Sequence, residues 1–314
     1  MPPKWIMSLM SSSPLPNDID RVLLTGGTSY LGRRLIARLL AQGSSVHIVV
    51  RPGSDRSRLD GLVGKPQFHE HDGSTGSLMQ IVAEAAPTTV FHLATNYLRD
   101  HQPDQISDLI SDNILFGTQL LEAMKAAGVN RLINLGTFFQ FHNSDTYVPT
   151  NLYAATKQAF ENVISYYCDA HGLRATTLIL YDVFGPGDWR AKLMAAIQNA
   201  QSNRTRLDLV PADTIMDLVY VEDVVDALLH AVQEETEGGP WAVRSQRRVT
   251  LADVIKTFEH VNGTPIDVNY GAYAVPDRTP SPPWEGPVLP GWQAKVSLQE
   301  GIGRFLAGEE EDAG

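Results

Sequence analysis

The chain predicts an α/β protein built on a doubly wound parallel sheet, with a smaller C-terminal domain. Three observations point there. Apolar strand-like runs alternate with amphipathic helical patterns up to Tyr181, as parallel strands joined by crossover helices on both faces require. A glycine-containing turn, Thr25-Gly-Gly-Thr-Ser-Tyr-Leu-Gly32, joins the apolar run Val22-Leu23-Leu24 to an amphipathic stretch. After Gly185-Pro186-Gly187 the alternation stops, so the remainder is organised differently.

In chain order, strands are predicted at Arg21–Thr25, Ser45–Arg51, Gln67–Glu70, Thr89–Leu93, Leu132–Leu135 and Thr176–Tyr181. Helices are predicted at Tyr30–Ala41, Ser77–Ala85, Gln105–Ala127 and Leu152–Ala170. Further on come a helix at Ala191–Ala200, short strands at Leu207–Val210 and Leu218–Val221, and a helix at Val224–Val232. The proline-dense stretch Pro276 to Pro290 reads as an irregular ordered segment, either linker or substrate lid. The expected organisation is a loose tail at 1–18, a cofactor domain at 19–185 with 215–235 packing back on it, a second domain from 186–214 and 236–307, and an acidic tail at 308–314.

Composition narrows the class. With 314 residues, 43% hydrophobic and 19% charged, the chain reads as a soluble globular protein. Its one cysteine, Cys168, excludes an intramolecular disulfide and a multi-cysteine zinc site, and fits a reducing, cytoplasmic setting. There is no run of 18 apolar residues to span a membrane, and the first 18 residues are too polar for a secretory signal. A net charge of −11 argues against a nucleic-acid partner, yet a locally basic pocket can still hold an anionic small molecule. His69 and His71 have only Glu70 and Asp72 beside them, so no metal is expected.

The glycine turn is a place for a pyrophosphate. Such a backbone approaches its ligand closely, and a helix N-terminus offers unpaired N–H groups to an anion. Gly26, Thr28, Ser29, Tyr30, Leu31 and Gly32 are the candidate contacts, with Ser29 standing where such loops usually carry another glycine. Downstream, Tyr153 and Lys157 lie four apart at the start of a helical pattern, hence on one face. A nearby ammonium lowers a phenol's pKa and makes it a usable proton donor or acceptor. Thr137 ends the fifth strand, whose carboxyl end faces the same crevice. Asn113 is a polar residue inside a helix, read either as packing or as holder of a catalytic water.

These residues together resemble the extended short-chain dehydrogenase/reductase family, of nucleotide-sugar epimerase/dehydratase type with a Rossmann-type sheet. The matching strings are the glycine turn, Val90-Phe-His-Leu-Ala94, Asn113 with Gly117-Thr118, Thr137, Tyr153-Ala-Ala-Thr-Lys157, Val183-Phe-Gly-Pro186, Asp217-Leu-Val-Tyr-Val-Glu-Asp223 and Gly291-Trp292, across residues 20–306. The resemblance implies Tyr153 as acid/base, Lys157 as its electrostatic partner and ribose ligand, and Thr137 as the substrate-orienting hydroxyl. It implies Leu93, Ala94 and Thr95 beside the cofactor, Asp72 at the adenine, and Thr95, Asn96 and Tyr97 lining a sugar pocket. His92 reads as a packed strand histidine.

The second strand ends near the adenosine ribose, where NAD-preferring enzymes carry a carboxylate. Here Arg51 stands at that place, followed by Arg56 and Arg58, and a guanidinium pairs with a 2′-phosphate, so NADP (NADPH) is expected. Phe138-Phe139 follow Thr137 where a 4,6-dehydratase of the family carries Asp-Glu. The strings at residues 92–97, 151–161 and 184–188 look similar to the CDP-abequose/CDP-paratose synthase group, which reduces 4-keto-6-deoxy sugar nucleotides. The implied reaction is NADPH-dependent reduction of the C4 ketone, with Tyr153 as proton donor to the alkoxide. Two alternatives remain: a C4 epimerase that retains its cofactor, and a catalytically silent NADP-binding or redox-sensing protein. Met216 replaces the family's usual arginine, leaving Arg190, Lys192, Arg206 and Arg278 as candidate diphosphate ligands. The long helices either pair in a homodimer, as in relatives, or are covered by the chain's own layers.

Overall fold

Seven strands form one parallel sheet: β1 (Arg21–Thr25), β2 (Ser45–Val50), β3 (Gln67–Glu70), β4 (Thr89–His92), β5 (Arg131–Thr137), β6 (Arg174–Leu180) and β7 (Gly238–Val243). Their order in this computed structural model is β7-β6-β5-β4-β1-β2-β3, a Rossmann-like sheet whose direction of growth reverses between β1 and β4. That reversal opens a crevice beyond the carboxyl ends of the two strands. Residues 19–312 are described, except Val63 and Gln246. The expected tail at 1–18 lies outside the described residues.

The strand runs alternate between two cores, as the two-residue side-chain period requires. Val22, Leu24, Phe91 and Ile133 belong to one face; Leu23, Val90 and Leu132 belong to the other. Helices cover both faces. The first face takes α1 (Tyr30–Ala41) through Leu35, Ile36 and Leu39. The second takes α2 (Thr75–Ala85) through Leu78, Ile81 and Val82. The expected single helix at Gln105–Ala127 is interrupted. It runs as α3 (Ile106–Ile110), a π turn at Ser111–Leu115, and α4 (Phe116–Ala127). Single π turns inside α-helices are frequent at functional sites, and the buried residue of this one is Asn113. Helix α5 (Leu152–His171) follows, capped by the Asn151 side chain accepting from the Ala154 N–H at 2.9 Å.

A third core gathers Phe184, Ile197, Leu218, Tyr220, Phe258, Ile302 and Phe305. It joins α6 (Leu193–Asn203), the parallel pair Asp182–Phe184 with Leu218–Tyr220, α8 (Leu251–Asn262) and α9 (Leu298–Asp312). Before α8, α7 (Val221–His230) returns to the first face, where Arg38 of α1 pairs with Asp226 at 3.0 Å.

Two expectations about the second half change. Gly238–Val243, assigned to the second domain, pairs with β6 and completes the main sheet; its Gly-Gly-Pro start hid the strand pattern. Residues 308–312, read as tail, continue α9, which Ile302 and Phe305 anchor in the third core. The proline-dense stretch carries neither helix nor strand, but its Trp284 and Leu289 are buried in the first core, as is Trp292 just beyond it. Trp284 stacks on Phe141 with 3.8 Å between centroids, and Tyr181 Oη donates to the Trp284 carbonyl at 2.6 Å.

Candidate active site

A cavity of about 560 Å³ opens at the carboxyl ends of the strands, between the main sheet and the third core. Its wall includes Ser29, Tyr30 and Leu31 from the glycine turn, Leu93, Thr95 and Tyr97 after β4, and Thr137, Phe138 and Phe139 after β5. Tyr153 and Lys157 enter from α5, and Asp182, Arg190 and Lys192 from the segment after β6. Residues distant in sequence meet here because all but the α5 pair follow strand ends that point the same way.

The glycine turn is held tight by backbone. Gly26 has φ +73°, and a Cβ there would lie 2.6 Å from the Ala94 N; one at Gly32 would lie 2.4 Å from the Gly26 carbonyl oxygen. Ser29 is the N-cap of α1, its Oγ accepting from the Gly32 N–H at 3.1 Å. The hydroxyl that replaces a glycine is therefore turned into the helix. No acidic residue stands in the first turn of α1, and the Tyr30 and Leu31 N–H groups have no carbonyl four residues back within the helix. Such donors fit the phosphates of a dinucleotide.

The Tyr153 ring stands edge-on to Tyr97, 4.9 Å between centroids at 89°. Burial pushes the phenol up to about 12, opposed by a hydrogen bond with the Thr95 hydroxyl. Burial pulls the Lys157 ammonium down to about 8, opposed by the Glu161 carboxylate. This corrects the expectation that Lys157 lowers the Tyr153 pKa. Spacing of four puts both side chains on one helix face, but the long lysine stem brings its charge under the influence of Glu161, a further turn along. Thr137 Oγ1 accepts from the Phe139 N–H at 3.4 Å and caps the short turn Phe138–Gln140.

Asn113 is not a wall residue. Its Oδ1 accepts from Thr95 Oγ1 at 3.1 Å and from the Asn96 N–H at 2.7 Å. Its Nδ2 donates to the Asn96 carbonyl at 2.9 Å and to Thr156 Oγ1 at 3.0 Å. Both donors and both lone pairs are thereby used within the protein, which leaves nothing for a catalytic water. Asn113 instead pins the segment after β4 to α5 and orients Thr95. Asn96 donates its own amide to Asp112 at 3.0 Å.

The candidate cations separate clearly. Arg190 is held by Asp188, Nε to Oδ1 at 2.6 Å and Nη2 to Oδ2 at 2.7 Å, with its guanidinium over the Tyr30 ring at 4.7 Å. Lys192 lines the cavity 3.9 Å from Asp182. Arg206 is exposed, 4.0 Å from Asp267, and does not line the cavity. Neither does Arg278, which donates to the carbonyls of Pro149 and Thr150 at 2.8 and 3.2 Å. For these two, sequence distance from the motif carried no information about direction. Arg51 and Asp72 are exposed at the ends of β2 and β3, outside the cavity wall, and Asp72 accepts from the Ser74 N–H at 2.8 Å. Gly26, Thr28, Gly32 and Ala94 do not line the cavity either. His92 is buried against Thr25 at 2.8 Å, with burial pulling its ring down to about 3, so it is neutral.

The profile of the NAD dependent epimerase/dehydratase family matches residues 22–243. The chain belongs to this family. Among relatives, the CDP-abequose synthase of Salmonella muenchen is 26% identical over 296 residues, 92% of this chain and 98% of its own. The UDP-glucose 4-epimerase of Mycolicibacterium smegmatis is also 26% identical, covering 91% of this chain and 97% of its own. The crystal structure of the Thermus thermophilus UDP-glucose 4-epimerase in complex with NAD matches with a TM-score of 0.73 at 25% identity, covering 92% of this chain and 99% of that one.

Two acidic residues, one in the cavity wall and one beside Lys157 on α5, escaped the sequence reading. Asp182 directly precedes the motif Val183-Phe-Gly-Pro186 and is recessed in the cavity wall, where burial raises its carboxyl. Its position next to that motif was the available signal. Glu161 lies one turn after Lys157 and carries no signal beyond that spacing.

Proposed function

We propose that this epimerase/dehydratase-family chain reduces the C4 ketone of a nucleotide-diphosphate 4-keto-6-deoxy sugar with NADPH. The observation that carries this is one cavity shared by a buried tyrosine, a buried lysine, a threonine hydroxyl and an uncompensated helix N-terminus. When bound, the nicotinamide cofactor supplies the hydride that reduces the carbonyl carbon. The N-terminus of α1 holds the cofactor's phosphates through the N–H groups of Tyr30 and Leu31. Lys157 binds its ribose and adds positive charge to the site. Arg51, with no carboxylate in its place at the end of β2, favours a 2′-phosphate.

Tyr153 acts as the acid. A phenol pushed up to about 12 keeps its proton throughout the neutral range and yields it only to a strong base such as the developing C4 alkoxide. The Thr95 hydroxyl beside it, held by Asn113, opposes the effect of burial on the phenol. Thr137 donates a second hydrogen bond to the same oxygen, and Lys192 offers a cation to the substrate diphosphate. Phe138 and Phe139 make that wall apolar, with no carboxylate beside Thr137 to expel water from the sugar.

The CDP-abequose synthase relative supports a reductase. A second reading, C4 epimerisation with retained cofactor, is favoured by the epimerase relative at the same identity. Incubation with NADPH and a panel of 4-keto-6-deoxy sugar nucleotides separates them. A reductase consumes nicotinamide absorbance stoichiometrically and yields a product two mass units heavier. An epimerase purifies with tightly bound cofactor and consumes none.

A further inference from the structure

We propose that Glu161 is a positioning residue that faces Lys157 along α5 and, through Gln140, fixes the turn that carries Thr137. This deepens the proposed function and rests on its assignment of Lys157 and Thr137.

The Thr137 N–H donates to Gln140 Oε1 at 2.9 Å, and Gln140 Nε2 donates to Glu161 Oε1 at 2.8 Å. Tyr147 Oη donates to the other carboxylate oxygen. The orientation of the buried Gln140 amide is dictated at both ends. A backbone N–H can only donate, so it must meet the amide oxygen; the amide nitrogen then needs an acceptor, and Glu161 supplies it. A neutral amide at 161 has one acceptor oxygen where two donors compete. Either Tyr147 loses its partner, or Gln140 turns and the Thr137 N–H is left facing a donor.

Glu161 also stands one turn beyond Lys157 on α5, on the same face. The titratable groups that act on or feel the ammonium are Glu161 from α5 and His92 from β4, and His92 is neutral. Burial works against the ammonium, and Glu161 is the charge that opposes the loss. Burial also raises the Glu161 carboxyl, and the bonds from Tyr147 and Gln140 and the field of Lys157 work against that rise. One carboxylate thus links the two sides of the cavity.

The test needs no substrate. The chain has seven lysines, so carbon-13 labelling of lysine gives a sparse spectrum in which Lys157→Arg assigns the Lys157 signal. The wild-type signal titrates near pH 8, and in Glu161→Gln its midpoint falls by about half a pH unit or more. An unmoved midpoint overturns the proposal. In the reductase assay, kcat/KM of Glu161→Gln falls about tenfold at pH 8 and its high-pH limb moves down, with Glu161→Asp restoring the limb. A wild-type profile there also overturns it. Should Glu161→Gln not fold, Tyr147→Phe removes one donor from the carboxylate and gives a smaller fall in the same direction; no fall counts against the proposal. Tyr153→Phe is the control: turnover in that variant ends the functional reading, while the lysine titration still decides the role of Glu161.

Discussion

Thr95 stands between Tyr153 and Asn113. Its hydroxyl donates to Asn113 Oδ1 at 3.1 Å and is hydrogen-bonded to the Tyr153 phenol. That bond favours the ionised phenol, so Thr95 works against burial and eases the release of the Tyr153 proton. Tyr153→Phe is therefore expected to lower turnover by about a hundredfold or more, the usual contribution of a positioned acid. Cofactor binding, followed by fluorescence of the reduced nicotinamide, stays within about twofold of wild type. Thr95→Val is expected to act in the same direction and less strongly.

Lys157 gives a pH signature of its own. Its pKa is about 8 in the folded protein against an ordinary value of 10.5, so between those values the unfolded chain binds more protons than the folded one. Its contribution to stability is therefore smallest below pH 8 and grows as the pH rises towards 10.5. Activity runs the opposite way, since the ammonium is lost above pH 8. Thermal unfolding from pH 7.5 to 10 should show a rise in Tm for the wild type, relative to Lys157→Met, in which that rise is removed. Equal pH slopes in the two proteins would contradict the assignment.

Arg51 decides between cofactors in the proposed function. Arg51→Asp should lower kcat/KM for NADPH by about tenfold or more and improve the value for NADH, as expected when a guanidinium that meets a 2′-phosphate is replaced by a carboxylate. Steady-state rates with both cofactors measure the ratio. An unchanged ratio removes Arg51 from the site.

The cations in and out of the cavity should behave differently. Lys192→Ala is expected to raise KM for the nucleotide sugar about tenfold with a smaller effect on kcat, the mark of lost uniform binding. Arg206→Ala, exposed and outside the wall, should leave both constants within about twofold. Loss of binding in the second variant and not in the first would reverse the assignment.

Much of the fold was legible because it is written locally. The runs at β1, β2, β4, β5 and β6 announce themselves as strands, since successive residues must face two apolar cores, and the glycine turn announces the crevice. The 3.6-residue period likewise put Tyr153 and Lys157 on one face of α5. β7 was invisible because its first three residues are Gly-Gly-Pro, and its place at the sheet edge depends on pairing with β6 far back in the chain. The π turn was invisible as well, because the helical period of 105–127 hides one inserted residue.

The strand–helix alternation, the phosphate-type turn and the tyrosine–lysine pair were readable from the amino-acid order, since each depends on neighbours within a few residues. Folding settled the rest: that Ser29 caps its helix, that Asn113 is consumed by the protein, and that Lys192 rather than Arg206 or Arg278 reaches the cavity. The cause is direction: periodicity fixes which face a side chain leaves from, whereas the place its polar end reaches is set by partners that only the folded chain brings near.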